Sequence, residues 1–146
     1  MNTIKKVLVA GVTGTTFMTL FSDVVSKVKA SNYNEAEILG ELLNRITSLD
    51  KQQSRIAGYV GHYGMGQVFA AAYVAYLKKT NTRPNLINGA LYGALSGVAG
   101  AFIWHSTFKA HPNPPCVDLK NYYKQLVLAH VIFGVSAALV LRKEDQ

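Results

Sequence analysis

The chain has 146 residues, 49% of them hydrophobic and 16% charged, with a net charge of +7. That length suits one compact unit, so residues 1–146 are read as a single domain. The Lys and Arg residues flank apolar runs instead of forming a basic patch interleaved with aromatics, which excludes nucleic acid as the expected partner, and the single cysteine, Cys116, excludes an internal disulfide.

Mean hydropathy is only +0.13, but the apolar residues are segregated. Four runs stand out, at about Val7–Val28, Ile56–Leu77, Leu86–Phe108 and Tyr122–Leu141. Each has roughly the 20 residues that a helix needs to cross the hydrocarbon layer, and lipid forces such a run to pair its backbone internally. The predicted fold is all-α: an integral membrane four-helix bundle with a short amphipathic helix between the first and second spans. A soluble bundle would need a charged face on every helix, and Val68–Leu77 and Leu86–Trp104 offer none.

The first run follows Lys5 and Lys6, as a signal peptide would. Gly11, Thr13, Gly14, Thr15 and Thr16 dilute its apolar core and no Ala-x-Ala site follows, so a retained first helix is expected. Next comes an amphipathic element over residues 34–49. Ile38, Leu39, Leu42, Leu43, Ile46 and Leu49 fall on one stripe, with Glu35, Glu37, Glu41, Asn44 and Arg45 mostly opposite. Asn34 and Glu37 have capping-box spacing. Such a helix lies in the interface, lids the bundle, or serves as a packed connector.

Gly58, Gly61, Gly64 and Gly66 crowd the start of the second span, and Gly89, Gly93 and Gly97 make two overlapping GxxxG steps in the third. Missing side chains let helix backbones approach closely, so Gly66, Gly89, Gly93, Gly97 and Gly134 are predicted packing residues. The partner helix is either in the same chain or in another one. A homo-oligomer or a larger membrane complex therefore stands beside the lipid bilayer as an expected partner. The loop His111–Pro112–Asn113–Pro114–Pro115–Cys116 predicts a stiff, non-helical turn.

Ionisable groups inside spans are costly and point to function. His62 and His130 each precede a glycine by four residues (Gly66 and Gly134), a spacing at which the glycine could admit haem beside an axial imidazole. Asp23, His62 and His105 fall towards one membrane face and are the candidate ligands of a divalent metal. The alternative is that each histidine bonds a Ser, Thr, Tyr or backbone carbonyl. No cofactor is favoured. No catalytic residue is assigned either: Ser106 adjoins His105, but on a helix their side chains diverge by about 100°, and no oxyanion-hole pattern surrounds Ser106 or Cys116.

The segments Gly11–Val12–Thr13–Gly14–Thr15–Thr16–Phe17–Met18–Thr19, His62–Tyr63–Gly64, Leu91–Tyr92–Gly93 and His130–Val131–Ile132–Phe133–Gly134 resemble the YagU-like group of small bacterial inner-membrane proteins. The resemblance implies a four-helix protein of the bacterial inner membrane and supplies no active site. Short basic segments on one side favour N-in and C-in. The expected function is that of an accessory or envelope-stress protein acting through helix–helix packing. The alternatives are a haem- or metal-binding protein and a small transport or proton-handling protein.

Overall fold

The computed structural model describes residues 2–144. Five helices make up the chain: α1 (Thr3–Lys29), α2 (Glu35–Ile46), α3 (Lys51–Lys79), α4 (Leu86–Ala110) and α5 (Leu119–Glu144). Among the described residues there is no strand. The ends of the helices follow from local chemistry. Asn2, Asn34, Asp50 and Asn85 accept a backbone N–H of the first turn, and Asp50–Gln53 and Asn85–Asn88 close full capping boxes. At Asn34 only half of the expected box forms. Asn34 Oδ1 accepts from Glu37 N–H, but the Glu37 carboxylate turns away to Arg55 and Tyr59.

The helix α1 is central and packs against both α3 and α5; α4 packs on the far side of α5. The ring closes between α3 and α4 through long aromatic side chains. Tyr73 stacks on Tyr92 with ring centroids 4.7 Å apart, and the Tyr92 hydroxyl donates to the carbonyl of Phe69 at 2.6 Å. The glycines do their work inside this ring. Gly89, Gly93 and Gly97 face α5, where a Cβ would stand 2.6 Å from Gly134 O, 2.7 Å from Val131 Cα and 2.8 Å from Val127 Cα respectively. Gly134 meets Gly93 from the other side, and Gly66 lies under the Thr15 side chain of α1. The partner of the GxxxG face is therefore α5 of the same chain. These surfaces are spent internally and present nothing to a second copy.

Three helices, α1, α4 and α5, are long and apolar enough to cross a membrane. The second predicted span, α3, is 29 residues long but less apolar than these three, because glycines, tyrosines, His62 and Gln67 occupy it. Large apolar side chains line the outside of the bundle. Along α1 alone Ile4, Leu8, Val12, Leu20, Val24 and Val28 are exposed at roughly one-turn intervals. A water-facing surface does not sustain so long an apolar stripe, and a lipid-facing one does.

The helix α2 covers one end of the bundle, and its orientation departs from the predicted stripe. Of the predicted stripe Ile38 and Leu42 are buried and Leu39 and Leu43 half-buried, while Ile46 is 54% exposed and Leu49 lies exposed beyond the end of the helix; Ala36, Gly40 and Glu35, the last at 1% exposure, complete the inner face instead. Close contact with α3 sets this rotation: a Cβ on Gly40 would lie 2.9 Å from Ser54 O, and one on Gly58 would lie 2.6 Å from Gly40 N. The proline-rich loop is tied to the same helix, for His111 Nε2 donates to Leu42 O at 3.0 Å while Nδ1 accepts from Asn113 N–H at 3.1 Å. His111→Ala is expected to cost roughly 1–2 kcal/mol by removing both bonds. The thermal midpoint and the hydrogen exchange of α2 are the readouts, and unchanged α2 protection would show that the loop does not hold the helix.

Candidate functional site

All five helices contribute to one cavity of about 130 Å³ beneath α2. Its deep wall comes from Thr15 and Met18 on α1 and Phe133 on α5; Glu35 and Leu39 of α2 close the end. His62 and His130 both belong to the wall, which brings the two predicted cofactor histidines to one place. Met65 and Ile103, exposed by 41% and 47%, form part of both the cavity and the outer surface. The cavity therefore reaches the exterior between α3 and α4, at the end of that seam away from the Tyr73–Tyr92 stack.

Each histidine has one nitrogen committed. His130 Nδ1 lies 2.9 Å from Leu126 O, and since a carbonyl only accepts, Nδ1 carries the proton. The remaining nitrogen, Nε2, is the edge of the ring against Gly100, where a Cβ would stand 3.1 Å away. His62 Nε2 lies 3.1 Å from Thr19 Oγ1, whose own hydrogen goes to Thr15 O at 2.8 Å. The hydroxyl must then accept, so His62 is protonated on Nε2 and keeps Nδ1 as an acceptor. Hydrogen bonds to a threonine and to a backbone carbonyl are the bland alternative that the sequence offered.

The other predicted ligands do not join them. Asp23 Oδ1 accepts from Asn34 Nδ2 at 2.6 Å, and that amide also donates to the Tyr59 hydroxyl, so Asp23 belongs to a network at the base of α2. The ring of His105 faces Tyr123, with centroids 6.2 Å apart, on a different surface. Among the described residues no group of three or more His, Cys, Asp or Glu side chains is arranged to hold a metal ion. Nor does the haem reading fit, because the glycine faces that would have to admit a macrocycle are filled: Gly66 by Thr15, and Gly134 by the α4 backbone.

The residue that periodicity missed is Glu35. Gln125 Nε2 donates to Ser22 Oγ at 2.8 Å, and Ser22 Oγ donates to Glu35 Oε1 at 3.0 Å, a relay buried between α5, α1 and α2. Glu35 Oε2 and Thr15 Oγ1 have no hydrogen-bond partner. Burial pushes the Glu35 carboxyl up to about 8; its bonds to the backbone and to Ser22 offset only part of this, and the negative charge of Asp23 adds to it. At neutral pH the group is therefore mostly a neutral acid. The only sequence signal was its position as first residue of α2, directly after the Asn34 cap.

The cavity is thus a mainly apolar chamber with Glu35, His62 and His130 among its lining residues. Compared with family models, curated proteins and solved structures, the chain matches none.

Proposed function

We propose that this chain is a four-span integral membrane protein of the YagU-like kind, an accessory protein whose working part is the laterally open chamber between its helices. The observation that carries the reading is the outer face of α3. From Ile56 to Tyr76 its exposed residues are Ile56, Val60, Gly64, Met65, Val68, Ala71, Ala72, Ala75 and Tyr76, with no charge among them. The glycines, His62 and Gln67 that lower its average hydropathy are mostly turned inward or half-buried. Residues 56–77 cover about 33 Å at 1.5 Å per residue, enough to cross the hydrocarbon layer. With α1, α4 and α5 this makes four spans.

Two features weigh against a transport path. Beyond Phe133 the interior is filled by Ala70, Tyr73, Val74, Ala137 and Leu141, all buried in one apolar cluster. The polar groups of the wall are confined to the half of the bundle nearest α2.

Cysteine labelling in intact cells and in inverted vesicles tests the topology. Cys116 is exposed and is the sole cysteine. It is expected to react with an impermeant maleimide from the same side as Ser48→Cys, the latter made in a Cys116→Ser background. Lys79→Cys in that background is expected to react only from the opposite side. If Ser48→Cys and Lys79→Cys react together and Cys116 from the other side, α3 does not cross. Labelling of Cys116 from outside the cell is the result that N-in and C-in require.

A further inference from the structure

We propose that the chamber binds a small hydroxylated aromatic molecule that enters from the bilayer between α3 and α4. Its ring would pack against the sulfur and aromatic side chains of Met65, Phe69 and Trp104, and its hydroxyl would donate its one hydrogen to the free Nδ1 of His62. The inference rests on the membrane reading for its route of entry, and on the geometry of the chamber for everything else.

Size comes first. A cavity of about 130 Å³ is comparable to the engineered cavity of roughly 150 Å³ that takes up benzene. It accommodates one ring and excludes a porphyrin. Shape and lining follow. Met18, Met65, Phe69, Trp104 and Phe133 all belong to the wall; thioethers and aromatic edges favour a flat, polarisable guest. Phe69 already presents itself edge-on to His130, with ring centroids 5.4 Å apart and planes at 86°.

Polarity then separates a phenol from a hydrocarbon. Two neutral imidazoles, each with its N–H committed to the protein, leave His62 Nδ1 and His130 Nε2 as acceptors. An acceptor in a mainly apolar wall favours a guest that brings a donor, and a hydroxyl is the smallest group that does so. An anion would meet acceptors, and a bare cation would meet mainly apolar surface. An acceptor nitrogen in an otherwise apolar wall favours a polar but uncharged head. The mouth between Met65 and Ile103 opens where the outside of the bundle is apolar, which is the phase into which such molecules partition.

The chain carries its own reporter, because Trp104 is its single tryptophan and belongs to the cavity wall. The test uses the full chain purified in detergent, with phenol as the probe and toluene as the control of equal ring size. Phenol is expected to change Trp104 emission saturably, with toluene about tenfold weaker, the usual worth of one hydrogen bond in an affinity. His62→Phe is expected to erase the tenfold preference for phenol over toluene, whatever it does to either affinity alone. Nitrogen-labelled histidine adds a readout that needs no variant: phenol should shift His62 Nδ1, leaving Nε2 on Thr19 in place. Equal response to phenol and toluene, a linear non-saturating response, or unshifted histidine nitrogens would each overturn the proposal. Binding is read in detergent, so its failure leaves the labelling result for α3 untouched, and a three-span topology leaves the binding result untouched.

Discussion

Gly93→Leu is expected to abolish the folded monomer in detergent, whereas Gly64→Ala is expected to raise its thermal midpoint. At Gly93 even a Cβ would lie 2.7 Å from Val131 Cα, and the obstruction is helix backbone that cannot rotate away. Inserting a whole side chain forces α4 and α5 apart, and the neighbouring close approaches at Gly89 and Gly97 are lost with it. Helices in lipid gain little from hydrophobic burial and depend on such packing. A cost above about 4 kcal/mol is expected, beyond the margin of a small bundle. Gly64 is the internal control: nothing lies within 4 Å of its added Cβ, so alanine there brings only the helix-propensity gain of about 0.8–1.0 kcal/mol. Size-exclusion profiles and thermal unfolding of the two variants check both statements. A well-folded Gly93→Leu protein would mean that α4 and α5 do not meet at this glycine.

Stability should fall as pH rises through the range set by Glu35, and Glu35→Gln should remove that slope. The carboxyl titrates near 4.5 when free and near 8 in the fold. Between those values the folded chain holds a proton that the unfolded chain has released. Each unit of pH in that window therefore costs the fold about 1.4 kcal/mol. Below the window both states are protonated and the fold keeps its full stability; above it the penalty is constant. Glutamine keeps the shape and cannot ionise, so at pH about 8 the variant is expected to be more stable than the wild type by on the order of 3–5 kcal/mol. Unfolding in detergent at several pH values measures this. The prediction fails if the wild type and the variant show the same pH slope. Asp23 on α1 and Tyr122 on α5 are the titratable groups nearest the carboxyl, and both remain in the variant.

The chamber shows where reading a sequence reaches and where it stops. His62 and His130 were legible because imidazoles are conspicuous in apolar runs, and both line the cavity. Asp23 and His105 were equally conspicuous by the same criterion. Helix rotation sends one to Asn34 and the other to Tyr123. Counting along a helix gives depth, but it does not give the direction in which a side chain leaves the axis relative to helices elsewhere in the chain. Glu35 was hidden for a related reason. A stripe of Leu and Ile defined the apolar face of α2, yet the residues that set its rotation are Gly40 and Gly58, which carry no hydrophobic signal.

By itself the sequence determined that the chain is helical, roughly where four long helices and a short one lie, and that glycines would bring helices together. Those properties depend on apolar runs, capping residues and missing side chains, all local. The tertiary structure alone decided that the GxxxG face belongs to α5, that α3 turns its polar residues inward, and that a carboxyl from α2 shares one chamber with imidazoles from α3 and α5. Each of these depends on which faces of distant helices meet, and that choice is made by packing across the whole bundle.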